Sequence, residues 1–174
     1  MPLRTYLRER EMLIKLAAVH IQHMQKALTQ MNLQLHNVIS DITGTTGMAI
    51  IRSIINGITD PKTLAKLRDG RCHNSEEIIE ASLDGNYREE HLFCLKKALE
   101  LYEVYVSKIS DCDMQIEAEA KKFTTKCDPK KIQEVKKINY EKRKKLRKHE
   151  YRFDLRYELI RMTGVNLTNI PSIG

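Results

Sequence analysis

The chain has 174 residues and a net charge of +7, with 30 Lys and Arg against 23 Asp and Glu, three Phe, seven Gly and no Trp. Many charges with few aromatic residues and few helix breakers are typical of long exposed helices, and they argue against a broad globular core. No apolar run has membrane-spanning length, no signal peptide is visible and no cysteine pair has a metal-ligand or redox spacing, so we expect free thiols and a cytoplasmic location.

The first predicted element is a long amphipathic helix. Apolar residues recur with a 3.5-residue period from Leu3 to Ile42, and Arg10 is the only polar member of this stripe. A stripe of that length predicts a coiled-coil helix roughly 60 Å long. Its central seam residues are Ile21, Met24, Leu28, Met31 and Leu35.

Residues 43–86 are predicted to form a small helical cap. An apolar helix follows the turn at residues 44–47 and ends near Gly57, a second begins at Asp60-Pro61 and ends at Gly70, and a third runs from Ser75 to Gly85. The Gly-Thr-Thr-Gly turn could face a phosphate at a helix N-terminus, but a tight corner into the cap is the favoured interpretation.

A second stripe of the same period runs from Leu92 to Phe123, and Asp113 is its only charged member. Asp113 either sets the register or pairs in a site, and the register role is favoured. Two stripes of similar length predict that residues 1–123 form an antiparallel coiled-coil hairpin, with a homodimer built on the same helices. The seam residues of the second helix are Leu95, Leu99, Tyr102, Val106 and Ile109.

Positive charge is concentrated after the hairpin. Residues 121–161 hold 16 Lys and Arg against 6 Asp and Glu, whereas residues 1–120 hold 14 against 17. We therefore predict a basic helical segment over 124–150 that binds nucleic acid through phosphate contacts, in preference to a merely solvated face. Tyr140 and Tyr151 flank the densest charge and are more suited to packing than to base stacking. The predicted nucleic-acid-binding residues are Lys142, Arg143, Lys144, Lys145, Arg147 and Lys148.

The chain offers no visible catalytic chemistry. No nucleophile–base arrangement, nucleotide-binding Gly-rich loop or acidic set for two magnesium ions is present, so we predict no catalytic residue, no metal ligand and no cofactor in this chain. The last segment, 151–174, contains an amphipathic helix over 153–162 that ends at Gly164. The residues after it are typical of the entrance to a helix-hairpin-helix turn, and we expect the chain to be a piece of a longer protein.

Several separated motifs resemble the DEDD insertion-sequence transposases, some of which are guided by a bridging RNA. The middle region of that family is similar to residues 4–120, and the start of its C-terminal domain is similar to residues 151–174. The motifs are Gln30–Asn37, Asp41–Arg52, Asp60-Pro61, Leu67–Cys72, Arg88–Phe93, Phe153–Arg156 and Gly164–Gly174.

The resemblance implies DNA transposition by a bacterial cytoplasmic protein, with DNA as a partner and, as in the RNA-guided members, a guide RNA. The family's acidic, divalent-metal-binding domain and its serine region have no counterpart here, so whether this chain is itself an enzyme is left open. This segment would serve dimerisation and nucleic-acid binding in an all-α fold. The alternatives are a structural coiled-coil protein without a nucleic-acid role, and an inactive transposon remnant.

Overall fold

The computed structural model describes residues 2–128 and 149–165, and within those ranges every regular element is an α-helix. The prediction of an all-α protein is therefore confirmed. None of the helices in these ranges has the length and apolarity that crossing a membrane would require. The helices are α1 Pro2–Gln30, α2 Leu35–Val38, α3 Thr45–Ile55, α4 Pro61–Ala65, α5 Glu76–Ser82, α6 Glu89–Lys121 and α7 Leu155–Thr163.

The chain divides into two compact units. The central unit comprises residues 15–105, and the terminal unit comprises residues 1–14 and 106–174. Both long helices contribute to both units, since α1 and α6 each run through a unit boundary. The division predicted from the sequence, with a hairpin over 1–123 and its antiparallel geometry, stays a prediction.

The first helix is shorter than the apolar stripe that predicted it. Instead of continuing to Ile42, α1 ends at Gln30, and Asn32 adopts a left-handed φ of 61°. The amide of Leu33 donates to the carbonyl of Leu28 (2.9 Å) and that of Asn32 to Thr29 (2.9 Å). This pair of bonds is a Schellman motif, which satisfies carbonyls that would otherwise lack partners at the helix end. The prediction of one continuous helix is therefore wrong.

The core of the central unit is formed by the two stripes together with the cap. Side chains from α1, α3, α5 and α6 are buried in one cluster, which also takes in the turn after α1. The amide of Gln34 donates to the carbonyl of Ser82 (2.7 Å), and the side chain of Asn74 donates to Val38 (2.6 Å), so residues 34–38 pack with the cap. The predicted limits of the cap, residues 43–86, stay a prediction.

Local capping signals place the short helices. Asp60 caps α4 by accepting from the amide of Thr63 (2.8 Å), and Pro61 occupies the first helical position as predicted. Ser75 is the N-cap residue of α5. Both helices end sooner than predicted, at Ala65 and at Ser82 instead of Gly70 and Gly85.

The terminal unit contains α7, whose limits follow the prediction closely. Asp154 caps its start by accepting from the amide of Tyr157 (3.0 Å). Gly164 ends it in the left-handed conformation, with φ of 78°, and its amide donates to Ile160 (2.8 Å). A glycine adopts that conformation without the steric cost other residues meet.

Candidate nucleic-acid interface

The predicted basic cluster lies outside the described residues. This applies to Lys142, Arg143, Lys144, Lys145, Arg147 and Lys148, and also to Tyr140. What the structure does describe is the chain on either side, up to Asp128 and again from His149, and both flanks belong to the terminal unit. The intervening residues 129–148 carry ten Lys and Arg and two Glu. The contacts of the flanks therefore show how this charge is attached to the fold.

One flank is attached to a buried ion pair between α1 and α6. Arg10 Nε lies 2.6 Å from Asp113 Oδ1, and the two residues are only 5% and 1% exposed. These are the two exceptions of the apolar stripes, one from each. The register role favoured for Asp113 stays a prediction, and Arg10 as its partner was not predicted. The sequence did contain a signal for this pairing, because each apolar stripe contains one charged residue and the two charges are opposite.

The ion pair also binds the chain that follows the basic cluster. Arg10 Nη2 donates to the carbonyl of His149 (3.0 Å), and the amide of Arg152 donates to Asp113 Oδ2 (3.2 Å). The Arg10 guanidinium lies 3.8 Å from the centre of the Tyr151 ring, a cation–π geometry. Tyr151 thus packs, as the sequence favoured. Residues 149–152 are fixed by both members of the pair.

The other flank is attached through Arg161 of α7. Its guanidinium donates to the carbonyls of Ala120 (2.6 Å) and Phe123 (2.7 Å) at the end of α6. A cation is favourable beside the carbonyls at the C-terminal end of a helix, where the helix dipole is negative. Arg161 Nη2 also lies 2.8 Å from Glu158 Oε2. The backbone carbonyl of Arg161 accepts a hydrogen bond from the amide of Lys126 (2.9 Å). Residues 120–126 are therefore held on α7.

The surface beside these attachments carries positive charge. Lys126, Arg152 and Arg156 are exposed. Lys121 and Lys122 are exposed as well, but they pair with Glu117 (2.7 Å) and Glu119 (2.5 Å). Exposed Lys and Arg side chains near a run of further cations can neutralise phosphates. Exposed cations therefore lie on both sides of residues 129–148 along the chain.

Cys112 lies next to the buried pair. Burial raises the pKa of its thiol, and the carboxylates of Glu9, Asp113 and Asp111 act in the same direction. The thiol is therefore favoured over the thiolate, which is the nucleophilic form. All four cysteines of the chain are free, and Cys127 at the start of the basic segment is buried.

The predicted seam residues lie inside the chain's own core. Six of them, all in the central unit, are only 0–7% exposed. Ile21 and Tyr102 are half-buried and pack against this core. Val106 and Ile109 are half-buried in the terminal unit. A homodimer stays a prediction, but it would need other apolar side chains than these. The fully or largely buried seam residues are Met24, Leu28, Met31, Leu35, Leu95 and Leu99.

Exposed apolar side chains do lie on α6. We call Phe93 (62% exposed), Leu101 (45%) and Val104 (52%) the α6 strip. Their spacing of eight and three residues places them on one side of the helix. Phe93 and Leu101 also line an open groove of about 520 Å³ in the central unit.

That groove collects three imidazoles, those of His20, His23 and His91. His20 stacks on Tyr105 with ring centres 5.3 Å apart, and it meets His23 edge-on at 5.5 Å. Burial lowers the pKa of His20, and the neighbouring His23 adds to the effect. Within residues 2–128 and 149–165 no three His, Cys, Asp or Glu side chains are grouped as metal ligands. The ring contacts account for His20 and His23 as packing residues.

The turn at residues 44–47 is a packed corner. A Cβ on Gly47 would lie 2.2 Å from the carbonyl oxygen of Ile42, so only glycine fits there. The hydroxyl of Thr46 accepts from the amide of Asp69 (3.0 Å), and Thr46 is buried. These contacts occupy the turn with the chain's own groups, and they favour the corner interpretation over a phosphate site.

No model of a known protein family matches this chain, and neither a search of curated proteins nor a search of solved structures finds a match. The relation to transposases therefore rests on the sequence motifs alone and stays a prediction.

Proposed function

We propose that this chain is a nucleic-acid-binding part of a DNA transposition protein, which contacts the phosphate backbone through residues 129–148 and the exposed cations beside them. Lys142, Arg143, Lys144, Lys145, Arg147 and Lys148 form the densest part of the interface. Each phosphate they neutralise releases condensed counterions, which gives affinity without sequence preference.

The observation that carries the proposal is the attachment of the chain on both sides of residues 129–148. Arg161 holds the chain before this stretch, and the buried pair of Arg10 and Asp113 holds the chain after it. A solvated charged face needs no buried ion pair at its end. Burying two charges is costly, and it becomes tolerable only where geometry and further hydrogen bonds compensate.

The assignment to transposition rests on the sequence motifs, and the phosphate binding rests on the charge. They are separable. The chain could bind nucleic acid outside transposition, or it could be a structural coiled-coil protein without a nucleic-acid role. The second of these is the competing function, and it predicts no affinity for nucleic acid.

A binding titration tests the proposal. The chain is titrated with a short DNA duplex of arbitrary sequence and with a structured RNA, at several salt concentrations. Four to six phosphate contacts give a slope of log K against log salt of roughly −3 to −5. Reversal of Lys142, Lys144, Lys145 and Lys148 to Glu should abolish binding and leave helicity unchanged.

A matched control separates local charge from overall charge. Lys26, Lys62, Lys66 and Lys96 are exposed lysines of the central unit, and their reversal changes the net charge by the same amount. That variant should retain most of the affinity. If the wild type shows no binding to either probe at about 0.1 M salt, the proposal is refuted. Binding to RNA alone would preserve the interface and remove the DNA assignment.

A further inference from the structure

We propose that Arg152 contacts a phosphate group of the bound nucleic acid, and that the buried pair of Arg10 and Asp113 positions it for that contact. This inference rests on the proposed function. It adds a phosphate-binding residue outside the predicted cluster and gives two buried residues a role in the interface.

The side chain of Arg152 is directed outward by its neighbours. Phe153 is 5% exposed and Tyr151 is half-buried, and the two rings meet edge-on with centres 5.4 Å apart. Arg152 lies between them and is exposed. It follows the last residue of the basic cluster by four positions. Arg152 therefore adds one exposed positive charge to the run of cations that precedes it in the sequence.

The backbone of this segment is held at three points within four residues. Arg10 Nη2 binds the carbonyl of His149, the Arg10 guanidinium covers the Tyr151 ring, and Asp113 Oδ2 accepts from the amide of Arg152 itself. All three contacts come from one ion pair that is nearly inaccessible to water.

A fixed backbone matters because ordering a chain on binding costs free energy. Fixing a residue in one backbone conformation removes conformational entropy that the free chain has. Where the fold has already fixed residues 149–152, that cost is not charged against nucleic-acid binding. The buried pair therefore increases the contribution of Arg152 without touching the ligand.

The first arm of the test measures Arg152 itself. Loss of one phosphate contact should reduce the magnitude of the salt slope by about 0.9, which corresponds to a roughly eightfold loss of affinity near 0.1 M salt. We expect Arg152→Gln to show both changes with the DNA duplex. An unchanged affinity and slope would overturn the inference and leave the proposed function intact.

The second arm tests positioning. In the double variant Arg10→Met with Asp113→Leu, Arg152→Gln should change affinity less than about twofold, since Arg152 no longer contributes fully. A merely structural role of the pair predicts the same eightfold effect in both backgrounds, and that result would overturn the positioning role. Asp113→Asn, which keeps the side-chain shape, supplies a second background for the same comparison.

The control is another arginine–carboxylate pair of equal length. Arg52 Nη2 lies 2.6 Å from Glu103 Oε1, but this pair is about half exposed and belongs to the central unit. With Arg52→Met and Glu103→Leu as background, Arg152→Gln should retain its full effect. If the wild type does not bind the duplex at all, the proposed function fails and this inference fails with it.

Discussion

The buried pair of Arg10 and Asp113 makes a sharp prediction about stability. With 5% and 1% exposure, neither charge can be hydrated if the other is removed. Removing one member of such a pair typically costs about 3–5 kcal/mol, because the remaining charge is left buried and unpaired. We expect that loss in the free energy of unfolding for Asp113→Leu and for Arg10→Met, each made alone.

The double variant should behave differently. Replacing both members by apolar side chains of similar volume is often neutral or stabilising by about 1–4 kcal/mol. The lost hydrogen bonds to residues 149 and 152 each subtract about 1 kcal/mol from that gain. The double variant should therefore lie within about 2 kcal/mol of the wild type, although the single losses would add to about 6–10 kcal/mol.

Urea unfolding followed by far-UV circular dichroism gives the four free energies of this cycle. Thermal unfolding ranks the stabilities of the variants independently. In a chain of this size each kcal/mol of lost stability should lower the midpoint temperature Tm by roughly 2–4 °C. The Arg52–Glu103 pair is exposed to solvent. We therefore expect the double-mutant cycle of Arg52→Met and Glu103→Leu to give an interaction energy below about 1 kcal/mol. Two results would refute this reasoning. One is a loss of less than about 1 kcal/mol in the free energy of unfolding for each single variant, and the other is a loss in the double variant that equals the sum of the two single losses.

Three further predictions concern the central unit. Gly47→Ala should lower the free energy of unfolding by about 1–3 kcal/mol, because its Cβ would meet a backbone carbonyl at 2.2 Å, whereas Gly70→Ala, with open space around it, should not lower it. Burial lowers the pKa of His20, so the fold favours its neutral form and the free energy of unfolding should fall as pH decreases through 6.5. In urea unfolding, His20→Phe should therefore reduce the difference in stability between about pH 7.5 and about pH 5.5. The predicted homodimer should form through the α6 strip, so changing its three residues to Ser should give a monomer in sedimentation at unchanged helicity, and a wild-type monomer at micromolar concentration would contradict it.

Elements governed by local signals could be predicted from the sequence. The limits of α7 follow from Asp154 and Gly164, which act on the adjacent backbone, and the start of α4 follows from Asp60 with Pro61. The end of α1 could not be read from periodicity. Leu33 continues the run of buried apolar residues after the left-handed Asn32, so the chain turns while its side chains remain in the core. Asn was the only available signal, since it tolerates that conformation better than most residues.

The candidate site was only half predictable for a different reason. The excess of charge over residues 121–161 is a property of composition and is visible at once. The contacts that attach it are long-range. Arg10 and Asp113 are 103 residues apart, and Arg161 reaches the carbonyl of a residue 41 positions earlier. A periodic pattern shows which residues face a core, but it does not show which residue lies opposite.

The same buried pair bears on the register of the two stripes. Apolar side chains that repeat every 3.5 residues pack almost equally well after a shift of seven residues, so they select a register only weakly. A shift would separate Arg10 from Asp113 and bury two unpaired charges, each at a cost of several kcal/mol. It would also remove the acceptor for the amide of Arg152 and the donor for the carbonyl of His149. We infer that one pair of residues sets both the helix register in the terminal unit and the position of the chain that leads out of the basic segment.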